Sequence, residues 1–372
     1  MNINSERLLN TFCELTAIDS LSLQERAMAD VLIKKLQTLG LKVVEDDSRD
    51  ITGSDAGNLT ALFPAPGKED EPYVIFSAHM DTVGPGIGKK AIMHQDGRIT
   101  SDKTTVLGAD DVSGIVEILE ALEEIIEEGA PHHNIAVLFT VAEELYTVGA
   151  SAYNISDIKV DRAYFLDRAG DIGSVTMTEP TLISFEIDIE GKASHAGFAP
   201  EKGVNSIVIA SKAIASLNVG RINENTTLAI GMIEGGVAPN VVPASVKVRG
   251  EIRSQVHEEA LAVLDNVNKT FESEADKLGG RISMEHKIHL TAYKVPDDSA
   301  ALREYEKALT ESGVDIVKEI SFGGSDSNPF RRQGIDALCI ANAMWDIHSE
   351  NEYTTLDGMT KVTEIVKRLM AE

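Results

Sequence analysis

Residues 73–81 read YVIFSAHMD. Six apolar or small side chains follow one another without alternation, which describes a strand buried on both faces. Such strands belong to largely parallel α/β sheets with helices on either side. His79 follows directly, and Asp81 two residues later. In open α/β sheets ligands bind beyond the carboxyl ends of the strands, so this is a functional address. Comparable runs stand at LKVV (41–44), LTALF (59–63), IAVLFTV (135–141) and AYFL (163–166). Between the runs ending at 78 and 141 lies an amphipathic helix with Val112, Ile115, Val116, Leu119, Leu122 and Ile126 on one face, stopped by Gly129. Helical spacing also predicts helices over residues 4–17 and 20–39, the second stopped by Gly40.

The texture changes at Thr181. LISFEIDIEG (182–191) alternates strictly, as a strand with one wet face does. A helix over Val204–Leu217, strands at TLAIGMI (227–233) and SVKVRGEIR (245–253), a helix over Glu258–Ala275 and a strand at RISMEHKIHL (281–290) follow. This β-α-β-β-α-β order describes an α+β layer. After Pro296 the α/β texture returns with a helix over Ser299–Ser312, the strand ALCIA (337–341) and a helix over Met359–Met370. A chain of 372 residues exceeds the usual single core. The expected fold is an α/β catalytic domain with a mostly parallel sheet, residues 1–180 and 292–372, interrupted by an inserted domain over 181–291.

A formal charge of −26 repels polyanions, so nucleic acid and anionic membranes are excluded as partners. The apolar runs are far too short to span a bilayer. The opening MNINSERLLNTF has no cationic-then-apolar signal pattern, which predicts a cytoplasmic protein. Cys13 and Cys339 fall outside every polar cluster and read as buried thiols of a reducing compartment.

The chemistry lies in His79, Asp110, Glu143, Glu144, Asp167 and His348, each at the end of an apolar run. Singly, each has an ordinary explanation. An Asp before a helix is a favoured cap, and an exposed Glu pair is a solvated helix start. Together, with one Glu set aside as a base, they comprise two imidazoles and three carboxylates. That set holds two divalent ions if one carboxylate bridges, and it suits zinc, cobalt or manganese rather than a thiolate site. A metal pair beside a free carboxylate is equipment for hydrolysing an amide.

At AHMDTV (78–83), LGADDVSGIVEIL (107–119), FTVAEELYTVGA (139–150) and FLD (165–167), the chain resembles the dinuclear-zinc exopeptidases and amidohydrolases that include tripeptidase T, carboxypeptidase G and aminoacylase. The resemblance continues through GKASHAGFAPEKGVNSI (191–207), GGVAPNVVPASVKVRGEIRS (235–254), FGGSDSN (322–328) and IHSENEYTTL (347–356). It is nearest to the tripeptidase T branch. It implies a zinc-exopeptidase-like catalytic domain with an inserted lid and dimerisation domain, acting as a homodimer on short peptides. By position, it implies His79, Asp110 and Asp167 on one metal and Asp110, Glu144 and His348 on the other, with Asp110 and a water between them. Glu143 would be the general base, Asp81 the support of His79, and His195, from the inserted domain and in the family often from a neighbouring subunit's, the donor to the substrate carbonyl or oxyanion. Asn240 and Arg253 would hold the substrate's polar end, and Gly323, Gly324 and Ser325 would line its pocket. The resemblance also implies a cis peptide bond between Asp110 and Asp111.

Two positions depart from the pattern. Val112 stands where relatives often carry Lys, and SENE (349–352) where tripeptidase T-like chains carry a second His. Both bear on tripeptide specificity. An N-acyl-amino-acid amidohydrolase, a carboxypeptidase or a dipeptidase with the same metals stays open, as does a metal-free α/β binding protein, although Glu143 would then have no purpose. A dinucleotide site is disfavoured, because neither FGGSD nor GPGIG opens a helix in G-x-G-x-x-G form.

Overall fold

The run at 73–81 becomes the strand Tyr73–His79, flanked on both sides by parallel neighbours, Asn134–Thr140 and Val160–Arg168. Asp336–Ala341 lies parallel beyond the latter. In this computed structural model, which describes residues 3–372, these four strands are the parallel heart of the sheet. The flanks are antiparallel: Leu59–Phe63 and then Val43–Glu45 on one side, Ser174–Glu179 on the other. Ile75, Phe76, Leu138, Phe165, Leu338 and Ile340 are buried, as their unalternating runs require. Register aligns the carboxyl ends, with His79 opposite Thr140 and Leu166 opposite Ile340.

The amphipathic stretch becomes the helix Ala109–Glu128, ended by Gly129 at φ 59° with its N–H on Ile125 and Ile126 carbonyls. The helix expected over 20–39 begins only at Arg26. Residues 20–25 serve the loop next to the sheet instead. Leu21 bridges Thr82, Leu23 adopts a left-handed φ of 71°, and the buried Glu25 carboxylate accepts the Leu23 N–H. Cys339 is buried, but Cys13 is only half-buried, on the outer flank of the helix Ser5–Thr16.

The chain forms two compact units. The first runs to Met177 and resumes over Val295–Ile320 and Ser325–Glu372; the second comprises Thr178–Lys294 and Ser321–Gly324. In the second, strands Thr226–Gly235, Ser245–Ser254, Thr181–Glu190 and Arg281–Leu290 lie side by side, all antiparallel. The helices Ser206–Ser216 and His257–Leu278 cover one face through Ile209, Ala213, Val267 and Phe271, which share a core with Ile183, Ile187, Val248 and Ile252. Gly250 is required there, since a Cβ would meet Phe185 Cζ at 2.3 Å. The two outer strands differ in character. Arg281–Leu290 carries exposed Glu285, His286 and Lys287, as a protected edge does. Thr226–Gly235 is covered only at Thr227 and Leu228, and farther along exposes Met232 and Ile233. Among the described residues no helix is long and apolar enough to cross a membrane.

Candidate metal centre

His79 is the last residue of its strand, and two neighbouring strands deliver the carboxylates. Asn134–Thr140 leads into a short 3-10 turn, Glu143–Leu145, and Asp167 is the penultimate residue of Val160–Arg168. His348 follows Asp336–Ala341 by seven residues, in a loop where Asp346 and His348 both have positive φ. The six residues therefore meet at one edge of one sheet, within one unit.

Asp110 is the centre. Its Oδ1 lies 2.9 Å from His79 Nε2 and its Oδ2 lies 3.1 Å from His348 Nε2, one oxygen to each imidazole. Around His79 Nε2, Asp167 Oδ1 stands at 3.8 Å; around His348 Nε2, Glu144 Oε1 stands at 2.8 Å. Two groups of three residues bring potential ligand atoms within 4.8 Å of one another: His79, Asp110 and Glu144, and His79, Asp111 and Asp167. Asp111 is nevertheless committed elsewhere. Its Oδ2 accepts the His79 N–H, and its Oδ1 accepts from Gly114 N and Asn342 Nδ2. Asp111 thus caps the helix, which is regular only after it, and Asp110 is left free. The peptide bond between them is cis.

Asp81 acts partly otherwise than its spacing suggests. The nearest acceptor to His79 Nδ1 is the Asp81 backbone carbonyl at 2.9 Å, with Oδ1 at 3.3 Å. A carbonyl acceptor fixes the proton on Nδ1 and presents the Nε2 lone pair outward. The Asp81 carboxylate instead holds the Glu turn, accepting from Glu143 N (2.9 Å), Glu144 N (3.2 Å) and Ser22 Oγ (2.7 Å).

Three positioning residues escaped sequence reasoning. Glu25 accepts the Ala142 N–H, one residue before Glu143. Asn342 donates to the Asp111 carboxylate and to the Leu166 carbonyl, tying the helix cap beside Asp110 to the strand that carries Asp167. Glu352, one residue of the SENE stretch, accepts from both Gly108 N and Asp110 N. Burial pushes Glu352 up to about 7 in spite of those N–H groups. A buried carboxylate spent on backbone N–H groups leaves no periodicity or motif in sequence.

Burial and Asp167 push the Glu143 carboxyl well above its ordinary range. Burial and Asp110 do the same to Asp167. Asp110 moves down: burial opposes ionisation, but hydrogen bonds from His348 and His79 outweigh it. The same contacts with Asp110 and Glu144 hold His348 up to about 10. Among the described residues no Lys or Arg pairs with Asp110, Glu143, Glu144 or Asp167. Four carboxylates converging on two imidazoles lack cationic charge, and the donor set fits a pair of divalent ions.

The second unit holds the remaining candidates except Ser325. His195 pairs with Val241 in a two-residue ribbon, and its Nδ1 accepts from Gly197 N (3.1 Å) and Phe198 N (3.2 Å). The ring proton is therefore on Nε2. Asn240 is exposed beside it, its carbonyl accepting the Ala196 N–H at 3.0 Å. Arg253 bonds Glu251 through Nε and the Phe322 carbonyl through Nη1. Gly324 abuts Leu290 so closely that a Cβ would overlap Cδ1 at 1.9 Å. Ser325, in the first unit, is buried.

A mixed sheet with a two-imidazole, multi-carboxylate site at its carboxyl edge defines a metal-dependent hydrolase. The peptidase dimerisation domain of the M20 family matches residues 178–278, and peptidase family M28 matches residues 58–192. The aminopeptidase PepT of Bacillus cereus is 38% identical, with a TM-score of 0.90 over 99% of this chain and 98% of that one. A tripeptidase of Staphylococcus aureus is 33% identical, with a TM-score of 0.94 over 99% and 98%. The uncharacterized protein YqjE of Bacillus subtilis is 37% identical over 100% of this chain and 99% of its own length. The chain belongs to the M20 family of metallopeptidases, close to peptidase T. It is an exopeptidase that hydrolyses peptide bonds with the help of divalent metal.

Proposed function

We propose that the chain is a dinuclear zinc aminopeptidase that releases the first residue of short peptides, tripeptides foremost, in the cytoplasm. One observation carries the reading: Asp110 offers one oxygen to each imidazole, while the Glu143 side chain beside it is buried and makes no hydrogen bond or ion pair with another side chain among the described residues. His79, Asp110 and Asp167 would hold one ion, and Asp110, Glu144 and His348 the other. The ions, when bound, lower the pKa of water and polarise the scissile carbonyl.

The rest of the work belongs to the chain's own groups. Glu143, held at its backbone by Asp81, takes a proton from the attacking water and passes it to the leaving amine nitrogen. Its upward-shifted carboxyl suits a group that must both accept and return a proton near neutral pH. His195 Nε2–H donates to the carbonyl oxygen as negative charge gathers there. Arg253 and Asn240 hold the polar end of the peptide, and the Gly323–Gly324–Ser325 segment lines the path of its backbone. The exposed Met232 and Ile233 on an incompletely covered strand fit a second copy of this chain, so the working form is a homodimer.

Hydrolysis of di-, tri- and tetrapeptides and of N-acetylated amino acids by metal-stripped protein, resupplied with zinc, cobalt or manganese, tests this. Fastest release of the first residue from free tripeptides is expected. Preference for N-acetylated substrates would reject the aminopeptidase reading.

A further inference from the structure

The turn that carries Glu143 and Glu144 is held amide by amide. Val141, Ala142, Glu143 and Glu144 present four successive N–H groups, and each donates to a side-chain oxygen. The acceptors are Asn58 Oδ1 at 3.1 Å, Glu25 Oε1 at 3.0 Å, Asp81 Oδ1 at 2.9 Å and Asp81 Oδ2 at 3.2 Å. Asn58, Glu25 and Asp81 are all fully buried. Ala142 stands at φ 52° and ψ 43°, a left-handed conformation that a residue with a Cβ adopts only at a cost. Its bond to Glu25 holds it there, and the direction in which Glu143 leaves the chain follows from it. Asn58 works at both ends of the turn. Its Oδ1 takes the Val141 N–H, and its Nδ2 donates to the Gly149 carbonyl at 3.0 Å. Gly149 comes so close to Val141 that a Cβ would meet the Val141 carbonyl oxygen at 1.9 Å. Both clamps are themselves anchored. Ser54 Oγ donates to Glu25 Oε2 at 2.5 Å, and Asn58 Nδ2 also donates to Asp46 Oδ2 at 2.9 Å.

We propose that Glu25 and Asn58 are positioning residues for the general base, and that Glu25 works by where its oxygen stands, not by its charge. The inference rests on the reading of Glu143 as that base. Asp81 grips the amides of the two acids themselves, which serves base and ligand alike. Glu25 and Asn58 grip the two residues ahead of them, and so set the angle at which the turn leaves the strand Asn134–Thr140. Proton transfer needs donor and acceptor within hydrogen-bond reach, so a base displaced by about 1 Å loses on the order of 10²-fold. Glu25 Oε1 accepts two N–H groups, from Leu23 and Ala142, and Oε2 accepts the Ser54 hydroxyl. A glutamine meets the same partners. Its oxygen takes both N–H groups, and its NH₂ donates to Ser54 Oγ, because a hydroxyl accepts as well as donates. An aspartate keeps the charge but withdraws both oxygens by one methylene.

The test measures kcat and KM for Leu-Gly-Gly in the wild type, Glu25→Gln, Glu25→Asp and Asn58→Ala, with circular dichroism to verify the fold. Turnover is counted per zinc-loaded chain, which separates a misplaced base from a smaller folded fraction. Glu25→Gln should keep most of the turnover. Glu25→Asp and Asn58→Ala should lose about 10–10²-fold in kcat, with KM and metal content unchanged. Hydrogen exchange of the metal-free proteins supplies a second readout: the amides of 141–144 should exchange faster in Glu25→Asp and Asn58→Ala, and at the wild-type rate in Glu25→Gln. Ser54→Ala, which removes only the hydroxyl on Oε2, is the mild variant should either of the others not fold, and its kcat should fall severalfold. Equal losses in Glu25→Gln and Glu25→Asp, wild-type kcat in Glu25→Asp or Ser54→Ala, or a loss confined to KM or to metal content would overturn the proposal. Glu143→Ala separates the layers. If that variant is fully active, the base reading itself fails. If it is inactive while Glu25→Asp turns over like the wild type, only the present inference fails.

Discussion

Asp111 caps the helix so that Asp110 does not have to. Its Oδ1 accepts the Gly114 N–H, and Asp110 turns its two oxygens to two different imidazoles. In the proposed site, two adjacent acids therefore divide a structural and a metal-binding task. Asp110→Ala should bind neither ion tightly, because each loses a shared ligand. Asp111→Ala should keep measurable metal while losing on the order of 1–2 kcal/mol of stability, the usual cost of a cap. Elemental analysis and urea unfolding of the two variants distinguish the roles.

Glu143 and Glu144 divide in a similar way. Glu144 lies 2.8 Å from His348, while Glu143 makes no side-chain pair. Glu143→Ala is expected to retain two ions per chain and lose nearly all turnover. His348→Ala should retain one. Metal-depleted Glu143→Ala would show that base and ligand had been exchanged.

Loading the site should release protons. Asp110 and Glu144 hold His348 up to about 10 in the metal-free protein, yet a metal takes only the neutral ring. Below that value the imidazolium must give up a proton, so affinity should rise with pH between 6 and 8. Titration calorimetry in buffers of different ionisation enthalpy should find at least one proton released as both sites fill. Binding without proton release would place the metal elsewhere.

His195 lies in the stretch that matches the peptidase dimerisation domain, and in the proposed mechanism its Nε2–H is the group offered to substrate. His195→Ala should lower kcat by about 10²–10³, the usual loss for one oxyanion donor, with metal content unchanged. If the residue serves a neighbouring subunit, mixing His195→Ala with Glu143→Ala protein should restore activity through hybrid sites. With subunit exchange demonstrated, no rescue would assign His195 to its own chain.

Lys89 is a stability matter. Its ammonium is buried against the Ile18 carbonyl at 3.0 Å and Thr82 Oγ1 at 3.3 Å, and burial lowers it from 10.5 to about 8. Between those values the unfolded chain binds more protons at this group than the folded one does, so stability should rise with pH across the window. The full span corresponds to roughly 3 kcal/mol, one pKa unit being about 1.4 kcal/mol. Below about 8 the burial penalty is constant. Urea unfolding at pH 7, 8, 9 and 10, compared with Lys89→Met, should show a gain specific to the wild type. Parallel curves would mean the lysine titrates normally.

Apolar periodicity made the sheet, its parallel heart and the inserted layer readable, because burial on one or both faces writes itself into side-chain order. The order of His79, Asp110, Glu143, Glu144, Asp167 and His348 was readable because each follows an apolar run. What escaped had no such trace. Glu25 looked like part of a longer helix, since nothing local shows that its carboxylate turns inward to Leu23 and Ala142. Glu352 looked like part of a charged loop, though it holds Gly108 and Asp110 across 244 and 242 residues. The short strands Ile92–Met93, Arg98–Thr100 and Tyr353–Thr355 were too brief for any period to emerge.

The reach of Glu352 has a consequence for how the enzyme is made. As the ribosome delivers the chain, His79, Asp110, Glu144 and Asp167 emerge long before Asn342, His348 and Glu352. A nascent polypeptide halted short of residue 342 carries a crowd of acids with one imidazole and without the carboxylate that steadies Gly108 and Asp110. On the proposed ligand set, capture of both ions therefore waits until His348 and the Glu352 carboxylate that steadies Gly108 and Asp110 have been synthesised.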